Sequence, residues 1–85
     1  MAPEESMEAI AARLEAVRAV LQIKTRREFA ERAGISQQLY SDWINLRKAV
    51  SRPSASKLVE TYDLSLDFIY RGNKDALPHR IAKDL

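Results

Sequence analysis

The sequence contains no cysteine. Disulfides and thiolate metal sites are therefore excluded, and the natural setting is a reducing compartment. There is one histidine, His79, and no glycine-rich phosphate loop. Glu4, Glu5 and Glu8 crowd the acidic start of the chain without metal-ligand spacing. Nucleophilic, metal-assisted and phosphoryl-transfer chemistry all lack a constellation. No enzyme activity, cofactor or metal is expected. No apolar run reaches the roughly 18 residues that a membrane helix needs. The opening "MAPEESMEAI" has no apolar stretch of the kind a signal peptide carries. The expected location is the cytoplasm, with no membrane partner. Valine, isoleucine and threonine are scattered and do not alternate, which argues against strands.

What is present points to helices. Ala, Leu, Glu, Arg and Lys dominate the 85 residues, so the predicted class is all-α, with one modest core. Charge is segregated along the chain. Residues 24–57 hold eight lysines and arginines against three carboxylates, Glu28, Glu31 and Asp42, whereas the flanking residues are net acidic. A basic middle suggests a polyanion partner.

The helices can be placed from caps and apolar spacing. Ser6 caps a first helix whose inner face is Ile10, Leu14, Val17 and Leu21, running to about Gln22. Thr25 and Glu28 form a capping box before a short second helix that turns Phe29, Ala30 and Ala33 inward. Gly34 ends it, because the residue past a helix end often needs positive φ. Ser36 caps a third helix over about 37–46, with Tyr40 and Trp43 inward. "RKAVSRP" is a basic connection. Pro53 argues against helix at Arg52, so Ser54 is the expected cap of a fourth helix, with Ala55, Leu58, Val59 and Tyr62 inside. Ser65 opens a short fifth helix that Gly72 and Asn73 stop. The tail "KDALPHRIAKDL" either adds one turn after Pro78 or frays. The expected organisation is an arm over 1–7, a domain over 8–73 and a tail over 74–85. The tail would be a short extra helix or a dimer contact.

Two short helices joined by a tight glycine turn make a helix-turn-helix. A small residue is needed where the helices approach, and Ala30 fits. Gly34 sits four residues later in the turn. Tyr40, six residues after that, plugs the second helix into the core, with Ile35 and Trp43 beside it.

On these residues the chain resembles the Cro/repressor-like (XRE) family of DNA-binding proteins. The resemblance runs over about residues 10–73 and is densest in "FAERAGIS" and "LSLDFIYRG". It implies a five-helix, lambda-repressor-like bundle that binds operator DNA, usually as a symmetric dimer, with the third helix in the major groove. Carried over residue by residue, it implies base reading by Ser36, Gln37, Gln38, Ser41 and Asp42. Phosphate contacts would come from Arg26, Asn45, Arg47, Lys48 and Arg52. Phe68 and Tyr70, near the fifth helix, would form a dimer contact. Paired glutamines suit adenine, whose N6 and N7 match an amide. Leu39 would meet a thymine methyl or be partly buried.

The sequence departs from the family pattern in four places. Leu46 stands where a glycine is common, and Ile44 where a charged residue is usual. The loop after the third helix is longer than typical. Asp42 puts a carboxylate near phosphates, where it would accept from a cytosine amine or pair with a neighbouring arginine. The expected function is sequence-specific binding of double-stranded DNA by a homodimeric transcriptional repressor. The competing expectation is an antitoxin or antiactivator that uses the same fold to bind a protein partner.

Overall fold

Among residues 5–85, which the computed structural model describes, every regular element is a helix. The order is α1 (Met7–Val20), α2 (Arg26–Arg32), α3 (Gln37–Ile44), α4 (Arg52–Tyr62), α5 (Leu66–Arg71) and α6 (His79–Ala82). Residues 1–4 of the expected arm lie outside the described residues, and Met7 already belongs to α1.

The starts of α1, α2, α3 and α5 follow one local rule. The side chains of Ser6, Thr25, Ser36 and Ser65 each accept from the backbone N–H three residues on. The reciprocal half of the expected capping box is absent, because Glu28 pairs with Arg32 at 3.3 Å instead. At α4 the expected cap is corrected. Ser51, not Ser54, accepts from the N–H of Ser54, and Arg52 and Pro53 form the first turn. Proline is tolerated there because first-turn N–H groups have no helical partner to lose.

Three helices end in the same way. Beyond α1, α2 and α3, the residues Gln22, Gly34 and Leu46 adopt φ of 58°, 71° and 61°. Each donates to the carbonyl three residues back, and the next residue donates to the carbonyl five residues behind it. Ile35 N–H, for instance, reaches the Ala30 carbonyl at 2.9 Å, and Arg47 N–H reaches that of Asp42 at 2.7 Å. This is a Schellman end, which wants a left-handed residue in one slot. Only one of the three slots holds glycine.

The core lies where α1 meets α3 and α5, α2 packs on α3, and α4 packs on α5. Leu14, Val17, Phe29, Tyr40, Trp43, Leu58 and Ile69 are buried in it. The Phe29 and Tyr62 rings stack with centroids 4.5 Å apart. The Tyr62 hydroxyl donates to the Phe29 carbonyl at 2.6 Å, satisfying one of the last acceptors of α2. Among the described residues, Trp43 Nε1 is the buried side-chain polar atom without a partner, so the indole contributes through its area. Of the two outcomes expected for the tail, the extra turn after Pro78 is the one found: α6 is a short sixth helix, and Leu77 and Ile81 are buried in the same core.

Candidate nucleic-acid interface

The first turn of α3 follows Gly34 and Ile35. Ile35 is buried and anchors the turn, so Ser36, Gln37 and Gln38 come out exposed in succession. Ser36 spends its hydroxyl oxygen on the Leu39 N–H at 3.1 Å. Gln37 and Gln38 therefore stand at the positive end of the α3 dipole. Leu39 packs against the core, in agreement with partial burial. Ser41 is half-buried one turn on. Asn45 Nδ2 donates to its carbonyl at 3.0 Å and to its hydroxyl at 3.1 Å. Asn45 thus closes the C-terminal end of α3.

Asp42 does not belong to the outward row with Ser41. It is 6% exposed. Its carboxylate accepts from Gln38 Nε2 at 3.1 Å and from Arg47 Nε at 3.2 Å, and Lys48 Nζ lies 3.6 Å away. Burial opposes its charge, but the hydrogen bonds from Arg47 and Gln38 and the nearby cations outweigh it. The carboxyl is held below its ordinary range. Of the two roles considered for Asp42, pairing with an arginine is the one found. The loop after α3 folds back over it, which is why sequence spacing alone put it outside.

Arg47 and Lys48 remain exposed on that loop. Leu46 is 41% exposed beside them, an uncovered large apolar side chain. Arg52 is exposed in the first turn of α4, with its guanidinium 5.4 Å from the centre of the Tyr70 ring. Arg26 donates from Nε to Glu15 at 2.8 Å, and Arg27 to Glu31 at 2.8 Å. The repulsion between these two cations and the α2 dipole is therefore relieved within the chain.

The expected dimer pair is corrected. Phe68 is 2% exposed and sits in the core, because α5 turns both Phe68 and Ile69 inward. Tyr70 alone is partly exposed, and its hydroxyl donates to the Val50 carbonyl at 2.9 Å.

Glu15 escaped the sequence reading. Its carboxylate accepts from Tyr40 at 2.7 Å, from Arg18 at 3.1 and 3.2 Å, and from Arg26 at 2.8 Å. Burial pushes its carboxyl up, but the bonds from Arg18, Tyr40 and Arg26 prevail and hold it at about 2. The available signal was the three-residue spacing of Glu15 and Arg18 on one helix face. Nothing local marked Tyr40 as a partner.

A family model described as helix-turn-helix matches residues 6–69, well over half of the chain. The chain belongs to the Cro/repressor-like helix-turn-helix family. It is a DNA-binding regulator of the XRE type, and α2, the Gly34 turn and α3 are its helix-turn-helix. No curated protein and no solved structure gives a significant match. Among the described residues, no helix of this family member is long and apolar enough to cross a membrane. No group of three or more potential metal ligands occurs among them either.

Proposed function

We propose that the chain is a cytoplasmic transcriptional repressor that binds an inverted-repeat operator as a homodimer, with α3 in the major groove. The observation that carries this reading is the exposed Ser36-Gln37-Gln38 turn, with Arg47 and Lys48 exposed on the loop that closes α3. Gln37 and Gln38 read base edges, assisted by Ser36 and Ser41. Arg26, Arg47, Lys48 and Arg52 supply phosphate contacts, which fix register and carry no sequence information, whereas the Asn45 amide expected beside them is already engaged by Ser41. Arg26 retains its terminal nitrogens for such a contact while Nε stays on Glu15. Tyr70, partly exposed on α5, is the remaining candidate for the dimer contact.

Fluorescence anisotropy on labelled duplexes over a salt series tests the division of labour. Arg47→Ala should weaken binding to every duplex and lower the slope of log K against log salt by about 1. Gln38→Ala should keep the slope and relax preference at one base position. If both variants bind like the parent, α3 and its loop are not the contact surface.

A second reading is favoured by Leu46, exposed at the end of α3 beside partly buried Ile44. An apolar side chain there suits a protein partner, as in an antitoxin or antiactivator. Absence of duplex binding at moderate salt, together with retention of one defined partner in pull-down, would favour it.

A further inference from the structure

Gln38 has two chemically different ends. Its amide nitrogen donates and its carbonyl oxygen accepts. A glutamine free to turn about its last bond offers either end to a base, and so discriminates poorly. Here the turn is restrained from behind. Asp42 lies one helical turn along the same face, buried, and accepts from Gln38 Nε2 at 3.1 Å. A carboxylate only accepts, so the opposite amide orientation would set two acceptors against each other. Asp42 is itself fixed. Arg47 Nε holds its carboxylate at 3.2 Å, and its main-chain carbonyl accepts from Arg47 N–H at 2.7 Å. Among the described residues, nothing donates to the Gln38 carbonyl oxygen.

We propose that Asp42 is a positioning residue for base selection: its buried carboxylate holds the Gln38 amide in one orientation, with the carbonyl oxygen outward. The carboxylate takes the N–H turned back toward the helix. The carbonyl oxygen and the second N–H are left on the outer edge. One acceptor beside one donor matches adenine, which offers the N6 amine beside N7, and mismatches guanine, which offers two acceptors. The acidic residue in the recognition helix thus never meets a base. It chooses which base Gln38 accepts, and it draws Arg47 to the same point. The inference rests on the reading of α3 as the base-reading helix.

The test uses the full chain and a duplex selected by it from a random pool. Affinities for that duplex and for each of its single-base variants are measured by anisotropy at one salt concentration. Gln38→Ala first locates the base position that Gln38 reads. Asp42→Ala should then lose discrimination at that same position, by about tenfold, and leave the other positions unchanged. Binding to unrelated duplex should hold or tighten, because a negative charge near phosphate is gone. Adding Asp42→Ala to Gln38→Ala should relax the position no further. Asp42→Asn, which keeps the size and can both donate and accept, should show a smaller loss at the same position. It serves as the second variant if Asp42→Ala fails to fold.

Uniform weakening on every duplex would overturn the proposal, as would intact discrimination in both Asp42 variants while Gln38→Ala relaxes it. In those cases base reading by α3 stands. If Gln38→Ala itself changes no preference, base reading by Gln38 falls and the proposal falls with it.

Discussion

The Tyr40 hydroxyl donates to Glu15 Oε2 at 2.7 Å and ties α3 to α1 across 25 positions of sequence. The same carboxylate holds Arg18 of α1 and Arg26 of α2. One half-buried acid therefore links the scaffold helix to both helices of the helix-turn-helix. Its burial and its partners make Tyr40 reluctant to ionise, so the phenol stays a donor. The node thus joins α3 to α1 at one fixed point beside the exposed Ser36-Gln37-Gln38 turn.

Tyr40→Phe removes the donor and keeps the ring. A hydrogen bond to a charged group contributes about 1.5–3 kcal/mol, and partial exposure of Glu15 places the loss near the lower end. A domain of this size should lose about 6–12 °C in Tm, read by circular dichroism. An unchanged Tm would mean that the node does not hold α3.

Acid tests the same node. The Glu15 carboxyl falls from an ordinary 4.5 to about 2 in the folded chain. A depressed folded pKa adds stability that is complete above 4.5 and is lost as pH falls toward 2. The full shift corresponds to about 3 kcal/mol, and solvent screening reduces it to on the order of 2 kcal/mol. Asp42 acts in the same direction. Urea titrations between pH 5 and pH 2 should show falling stability, and Glu15→Gln should make that fall shallower. A parent-like pH profile in Glu15→Gln would contradict the assignment.

The left-handed slots give a paired prediction. A non-glycine residue there costs about 1–2 kcal/mol. Leu46 carries that cost at φ 61° and is poorly buried, so Leu46→Gly should raise stability by up to about 1 kcal/mol after the entropy of glycine. Gly34→Ala should lower it by about 1 kcal/mol through strain alone, because an added Cβ there meets nothing within 4 Å. Thermal melts of the two variants should move in opposite directions.

These slots also mark what could be read in the sequence. Gly34 was legible because glycine advertises positive φ. Gln22 and Leu46 adopt the same conformation without advertising it. The serine and threonine caps were legible because a cap bonds three residues away. Ser51 was the exception: Pro53 suppressed the expectation of helix at Arg52, yet the first turn tolerates both.

The inward pair Tyr40 and Trp43 followed from local periodicity, whereas the outward role of Gln37 and Gln38 followed from the family resemblance. Asp42 and Glu15 followed from neither, because their surroundings depend on how a loop and a neighbouring helix fold back on them. The loop carrying Arg47 and Lys48 folds back over Asp42, and two of the three partners of Glu15, Tyr40 and Arg26, lie on other helices. Phe68 was expected in a dimer contact because the resemblance places one near the fifth helix, yet both Phe68 and Ile69 are buried in the core. The added packing of Leu77 and Ile81 from the tail enlarges that core.

Selection from a random duplex pool, with the enriched sequences read out, tests the central claim most directly. The parent chain should enrich paired half-sites in inverted orientation, centred about 10 base pairs apart or a multiple of that. Gln37→Ala with Gln38→Ala should abolish the enrichment while retaining salt-dependent binding to DNA at low salt. An unstructured pool after selection by the parent, or an unchanged motif selected by the double variant, would contradict the account.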